Sequence, residues 1–545
     1  MNRRDALLSK LKSSPQAFDV VVIGGGITGA GIAREAAGSG LKTLLVEQKD
    51  FAWGTSSRSS KMVHGGLRYL GSGQYGLTRD AVTERQRLMT EAPGLIDPLR
   101  FIMPHFQRQF PGPRLFQILL RVYDWIARSK SRQLLTPGET MQWVPGLNMQ
   151  KLTGASGFTD AVTDDARLVQ RVISEARQDG AWCLNYVKAV RVLRADGKVS
   201  GLELQAEDDA NTFTVDTSLV INATGVWADR LQQPDNGEQP MTIRPLRGSH
   251  LVLPWSTLPV SCTVSLLHPD DKRPVFVFPW AGTTVLGTTD LDHKQSLDNE
   301  PRIAANEVDY LLRISNRLFP GAAVSANDVL STWAGVRPVV TDTPKVAGAN
   351  GPSKAPSKES REHEFREDKG LISIAGGKLT TFRLIAREAL TRGLGSDEPL
   401  RAEKDPVFRP TLAPPKPDSI SHQNWQRLTG FYGADLASVL QCGPLTPVGN
   451  NSGSASVPGD LLWAEVTWAC SQEDVKHLDD LMLRRTRLGL IVPEGGKALL
   501  PALKLHCQSA LNWDDDQWHA EEARYLALWG EAHSLPECSE QKHAV

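Results

Sequence analysis

Residues 18–47, FDVVVIGGGITGAGIAREAAGSGLKTLLVE, constrain this chain more than any other stretch. The apolar run Val20-Val21-Val22-Ile23 suits a parallel strand buried on both faces. It leads into Gly24-x-Gly26-x-x-Gly29, and Ile27 to Ala37 then has helical composition, closed by Gly38 and Gly40. Thr43-Leu44-Leu45-Val46 predicts a second strand, ended by Glu47. Gly24 permits a tight turn, Gly26 lets backbone approach a pyrophosphate, and Gly29 lets the helix lie close on the strands. The helix N-terminus offers N–H groups and about half a positive charge to phosphates. Glu47, eighteen residues past Gly29, can accept from two ribose hydroxyls and repels a 2′-phosphate, which argues against NADP. Strand, turn, helix and acid together predict a dinucleotide site; the competing reading is a glycine-rich turn that holds nothing.

Composition narrows the class. At 545 residues the chain should hold two or three domains. A net charge of -1 gives no general attraction to nucleic acid, and none is expected as a partner. Six scattered cysteines without a CxxC pair argue for reduced thiols, against a disulfide framework and against a zinc site. The first seventeen residues read neither as a secretory signal nor as a transit peptide. No apolar run approaches a bilayer-spanning length, so the chain is expected to be soluble or to lie on a membrane rather than cross one.

Thr55 to Leu70, TSSRSSKMVHGGLRYL, is rich in small hydroxyl residues and carries Arg58, Lys61, His64 and Arg68. It reads either as a solvated loop or as a loop wrapped around a polar ligand. Residues 77–92 predict an exposed amphipathic helix that stops before Pro93. Within 114–128, Arg114, Gln117, Arg121, Asp124 and Arg128 form one narrow polar stripe on an otherwise apolar helix. That pattern fits a helix in a membrane interface, aided by Lys130 and Arg132, or a core helix with one wet edge.

Two further strand-to-glycine transitions follow. Leu219-Val220-Ile221 enters Asn222-Ala223-Thr224-Gly225, and Leu371-Ile372-Ser373-Ile374-Ala375 enters Gly376-Gly377-Lys378-Leu379-Thr380-Thr381 ahead of a helix. Val187 to Glu207 predicts a hairpin turning at 195–198, and 250–290 alternates as antiparallel sheet. Residues 348–370 read as a mobile surface insertion. From about Asp405 a proline-rich linker, Pro406 to Pro417, leads to helices expected at Asp460 to Cys470, Gln472 to Leu490 with Ser471 as N-cap, Lys497 to Leu511 and Asp514 to Glu531.

Across nearly its whole length the sequence resembles the FAD-dependent, quinone-linked glycerol-3-phosphate dehydrogenases of the aerobic type. The resemblance rests on IGGGITGAG at 23–31, TSSRSSKMVHGGLRYL at 55–70, TDDARLV at 163–169 and NATGVWA at 222–228. It extends through RGSHLVLP at 247–254, FPWAGTTVLGTTD at 278–290, WAGVRP at 333–338, AGGKLTTFR at 375–383 and, more weakly, LRRTRLG at 483–489. It implies an α/β fold with a Rossmann-type FAD-binding domain like those of glutathione reductase and the amino-acid oxidases. An antiparallel-sheet substrate domain is inserted and a C-terminal α-helical domain follows. The expected boundaries are an oxidoreductase domain at 18–400, a linker at 401–417 and the helical domain at 418–540. Within the first, 18–75, 160–235 and 330–400 would bind FAD, while 76–159 and 240–330 would form the substrate cap.

The implied activity is oxidation of sn-glycerol 3-phosphate to dihydroxyacetone phosphate, with hydride passing from C2 to flavin N5 and electrons leaving to membrane quinone. Expected FAD contacts are Gly24, Gly26, Ile27, Thr28, Gly29 and Glu47 at the first turn. Thr55, Ser56, Ser57, Ser60 and Lys61 would add contacts from the serine loop. Ala223, Thr224 and Gly225 serve the second turn, and Gly376, Gly377, Leu379 and Thr380 the third. By resemblance, Arg68, Tyr69, Arg337 and Lys378 surround the substrate, where planar guanidinium groups suit a phosphate. A base must take the hydroxyl proton: His64 is the first choice and His250 the second, since imidazole titrates near neutrality. Each histidine could instead be an orienting or packed residue, and Arg337 could be an ion pair bracing the sheet. No metal is expected, and no calcium loop occurs in the sequence. The enzyme is expected in the cytoplasm on the inner face of the membrane, with a homodimer among the expected partnerships and 114–128 the better candidate for lipid contact. An oxygen-using oxidase, an amino-acid-oxidase-like enzyme and a non-catalytic flavin module stay open as alternatives.

Overall fold

The computed structural model describes residues 3–536 apart from 68–69, 71–72, 232–240, 342–362, 396–398, 450–456 and 458. The expected substrate residues Arg68 and Tyr69, Cys538 and most of the expected 348–370 insertion therefore lie outside the described residues.

The strand Val20–Ile23 lies inside a six-stranded sheet ordered Glu364–Asp368, Leu371–Ala375, Val220–Asn222, Val20–Ile23, Thr43–Val46, Trp182–Leu184. The five strands from Leu371–Ala375 to Trp182–Leu184 run parallel, and only Glu364–Asp368 is antiparallel to its neighbour. The sequence explains the burial: VVVI, TLLV and LISIA are wholly enclosed, as strands covered on both faces must be. The helix Ile27–Gly38 packs beside Asp165–Gln178 and Phe382–Leu394 over one face. Its register puts all three expected glycine turns at the carboxyl ends of adjacent strands, the edge where open α/β sheets take ligands.

The second layer is a ten-stranded mixed sheet carrying the expected antiparallel segments, with Thr242–Pro254 paired to both Thr283–Gly287 and Ser331–Thr341. The hairpin Val187–Ala195 and Lys198–Ala206 forms as expected and gains a third strand, Thr212–Asp216. The helix expected at 77–92 spans Tyr75–Glu91, but Val82, Glu84, Arg85 and Leu88 are buried, so it is a packed helix with one wet side.

Two expectations in the C-terminal third are corrected. The first concerns how the proline-rich stretch begins, which is anchored: Val407 and Phe408 are buried against the sheet and Val407 O accepts from Arg34 Nε at 3.0 Å, while Leu412 further on is exposed. The single helix expected from Gln472 to Leu490 is absent. A helix Trp463–Gln472 ends there, with Ser471 inside it and its hydroxyl bonded back to Thr467 O. The chain then turns through Asp474 at φ 54, one wide helical turn at Asp480–Arg485 and Arg487 at φ 63 before Leu488–Ile491. The reason is electrostatic. Arg484, Arg485 and Arg487 point inward to buried aspartates and Asp480 to Arg484 and Tyr186, which a straight helix could not offer from one face. The last two helices run Leu500–Leu511 and Asp515–Ala532, the latter capped by Asp514.

Candidate active site

At the first turn Gly24 has φ +110, and a Cβ there would lie 2.6 Å from Ala223 O, so the first and second turns touch backbone to backbone. A Cβ on Gly29 would sit 1.8 Å from Gly24 O, which is the close helix-on-turn packing the third glycine exists to allow. The N–H of Ile27 donates to Ser56 Oγ at 3.0 Å, joining the serine loop to the helix start. Glu47 braces the same turn: its oxygens accept from Gly25 N at 2.7 Å and Lys49 N at 2.9 Å. Burial pushes the Glu47 carboxyl above the usual carboxylate range, against those two bonds. Asn222 ties the second and third turns, with Nδ2 donating to Ala228 O and Ser373 Oγ while Oδ1 accepts from Thr224 Oγ1 at 2.7 Å. This cradle of backbone, open where a Cβ would stand and closed by an acid, fits a dinucleotide.

The serine loop is laced to its surroundings. Thr55 Oγ1 donates to Val336 O at 2.5 Å, setting the loop beside the strand that bears Arg337. Thr380 Oγ1 donates to His64 O at 3.4 Å, setting the turn that bears Lys378 beside His64. His64, Arg337 and Lys378 thus stand on elements joined through this one loop, and the fourth described candidate, His250, meets it at Ser60. His250 is buried with its ring stacked on Trp333 at 4.8 Å and Nε2 against Ser60 Oγ at 2.9 Å. Burial, and then the charges of Arg337 and Lys61, hold its pKa well below that of a free imidazole, so the ring is neutral.

Arg337 is partly exposed and fixed from behind: Nη1 donates to Asp290 Oδ1 at 3.1 Å and Nη2 to Thr288 Oγ1 at 3.2 Å. Asp290 is fully buried and also pairs with Arg273 at 2.6 Å. Lys61 is held from inside the protein. Its side chain has no exposed surface, and Nζ donates to Asp165 Oδ1 at 2.7 Å and Ser57 O at 2.5 Å, so it props the loop from inside rather than facing the sheet edge. Burial lowers its pKa to about 8, with Asp165 opposing. Asp165, Asp290 and Thr288 were not expected to take part. Their own neighbours in sequence carry no signal of it, because each acts through a partner far along the chain.

Comparison with known proteins agrees with this geometry. Residues 19–388 match the family described as FAD dependent oxidoreductase, and residues 340–518 match the C-terminal domain of alpha-glycerophosphate oxidase. The aerobic glycerol-3-phosphate dehydrogenase of Bacillus subtilis is 36% identical over 77% of this chain and 73% of its own length. The glycerol-3-phosphate dehydrogenase of Mycobacterium leprae is 32% identical over 94% of this chain and 88% of its own. Among solved structures, the glycerol-3-phosphate dehydrogenase from Bacillus halodurans complexed with FAD superposes with a TM-score of 0.72 at 27% identity, covering 97% of this chain and 98% of that one.

Proposed function

Given that the chain belongs to the family of FAD-dependent glycerol-3-phosphate dehydrogenases, we propose that it oxidises sn-glycerol 3-phosphate to dihydroxyacetone phosphate and passes the electrons to a membrane quinone. The bound flavin supplies a hydride acceptor. What carries the reading for this chain is the pair of hydrogen bonds, Thr55 to Val336 and Thr380 to His64, that gathers Arg337, Lys378 and His64 around the serine loop beside the glycine cradle.

In this reading the Gly24–Gly29 turn, Glu47, the serine loop and the turns at 223–225 and 376–380 hold FAD. Arg337, with Arg68, Tyr69 and Lys378, takes the phosphate; Asp290 and Thr288 fix its guanidinium fork before substrate arrives. His64 takes the C2 hydroxyl proton. His250, kept neutral, is the second candidate for that role. Anaerobic addition of sn-glycerol 3-phosphate should bleach the yellow enzyme, and a flavin that stays oxidised refutes the activity. Quinone reduction without stoichiometric hydrogen peroxide separates the dehydrogenase from an oxidase. The variant His64→Gln should bind FAD and lose about 10²- to 10³-fold in kcat.

Contact with lipid is proposed for the helix Pro113–Ala127. Its polar stripe is split, with Arg114, Arg121 and Arg128 exposed and the other two members turned inward. Gln117 bonds inward to Ser156 Oγ and Asp124 is buried on Ser131 and Arg132, while Leu115, Ile118 and Trp125 are 51%, 61% and 79% exposed. Arg114, Arg121 and Arg128 flank this apolar face, which suits an anionic bilayer surface. Phe116 is buried, so the informative variant replaces Leu115, Ile118 and Trp125 with Ser. That protein should leave liposomes of anionic lipid at high salt, and unchanged sedimentation refutes the assignment. Among the described residues no helix is long and apolar enough to cross a membrane.

A further inference from the structure

The C-terminal helices reach into the serine loop through one side chain. Arg487 is buried, and its guanidinium bonds in three directions. Nε and Nη2 donate to Asp164 at 3.0 and 2.9 Å, Nη2 donates also to Asp165 Oδ1 at 2.5 Å, and Nη1 donates to Ser57 O at 3.3 Å. Asp165 carries the signal onward. Its Oδ2 accepts from Ser59 N at 2.9 Å and Ser59 Oγ at 2.7 Å, and its Oδ1 accepts from Lys61 Nζ at 2.7 Å. The carbonyl of Ser57 is therefore gripped by Arg487 and Lys61 together, and that of Ser59 accepts from Trp333 Nε1 at 3.2 Å. Two cations and two carboxylates balance within this buried set, so no net charge is left in the interior.

We propose that Arg487 is a positioning residue, through which the C-terminal domain holds the serine loop in the shape that binds the flavin. The proposal rests on the reading, given above, that Thr55, Ser56, Ser57 and Ser60 face FAD. Among the other segments at the loop, the first turn, the turn bearing Lys378 and the strand bearing His250 bond it once each, and the strand bearing Arg337 bonds it twice, through Val336 O and Trp333 Nε1. Arg487 and its partners bond it at Ser57, Ser59 and Lys61, which makes them the largest set of bonds on the loop's inner side. An ammonium carries the same charge but cannot span Asp164, Asp165 and Ser57 O at once, because it lacks the planar fork. Arg487→Lys therefore keeps the charge balance and removes the geometry.

The test titrates FAD into deflavinated Arg487→Lys and reads hydrogen exchange across residues 55–61 without FAD. Arg167→Lys serves as a second buried arginine at the domain junction, held by Glu473 at 2.5 and 3.0 Å and not bonded to the loop. Arg487→Lys should bind FAD about tenfold more weakly, the size of one charge-assisted hydrogen bond, and should lose protection at Ser59 and its neighbours. Arg167→Lys should alter neither. Should Arg487→Lys fail to fold, Asp164→Asn, which keeps the helix cap, is expected to give the same pattern at about threefold. Wild-type affinity and protection in the folded variant, or equal losses in both arginine variants, overturn the proposal. A wild-type protein that binds no FAD would refute the functional reading instead, and the exchange measurement would still decide the clamp.

Discussion

Two buried regions of this molecule are built on opposite principles. The cradle at the carboxyl edge of the six-stranded sheet is made by leaving side chains out, so that Gly24, Gly29 and Ala223 bring backbone against backbone. The junction with the C-terminal helices is made by putting charges in. Asp50, fully enclosed, accepts from Arg484 Nε at 2.6 Å, from Arg485 at 2.7 and 2.8 Å, and from Asn185 at 3.0 Å. The first region leaves room for a partner outside the chain, while the second satisfies every bond of its carboxylate from within. Buried ion pairs add little net stability over apolar packing, yet removing one partner strands the other. The junction thus specifies one arrangement of the domains, and the cradle specifies one kind of ligand.

This contrast can be broken most forcefully at Asp50. Asp50→Ala takes from Arg485 its one close carboxylate and from Arg484 one of three, and should cost about 3 kcal/mol, read as a fall in the denaturant midpoint. A wild-type midpoint would mean that water reaches the junction. Next comes Gly29→Ala, whose new methyl group meets the Gly24 carbonyl. The expected cost is about 3 kcal/mol with loss of copurified flavin, and full flavin content would place the turn elsewhere. At the rim, Arg337→Ala should lower kcat/KM by about 2–3 kcal/mol, the worth of charge-assisted bonds to a phosphate. Its melting temperature should barely move, because Asp290 keeps Arg273. A stability loss without a kinetic one would make Arg337 a brace.

The smallest effect concerns His477 at the junction, between Glu207 at 3.3 Å and Glu521 at 2.8 Å. Burial opposes its charge, but the two carboxylates prevail and raise its pKa to about 9. A raised folded pKa contributes stability that is complete below the unfolded value near 6.5 and is lost as pH climbs through about 9. Glu207 is half exposed, so solvent screening reduces the contribution to about 1 kcal/mol. Thermal melts of wild type should fall more steeply than those of His477→Gln between pH 6.5 and 9; parallel curves would remove His477 from the account.

Legibility followed the same divide. The strand, glycine turn, helix and acid of 18–47 were readable because each part acts on neighbours a few residues away, and the two later turns repeat the pattern. The Gln472–Leu490 helix was misread because its arginines and aspartates look like a solvated face until their distant partners are known. Asp124 and Gln117 misled for the same reason, as polar groups that turned inward. The pairing of Lys61 with Asp165 was not legible, because nothing nearby in sequence announces Asp165. The FAD-dependent family was legible from the motifs, whereas the share of the C-terminal domain in the site was not.

The partners of Asp50 lie 434 and 435 residues further along the chain. Synthesis from the N-terminus therefore makes the first glycine turn long before Arg487, which follows the third turn as well. The last strand of the six-stranded sheet, Leu371–Ala375, likewise precedes Arg487, the one of Arg484, Arg485 and Arg487 that bonds the serine loop. A chain cut before Arg487 would carry the sheet domain without the guanidinium that bonds Ser57 O, Asp164 and Asp165.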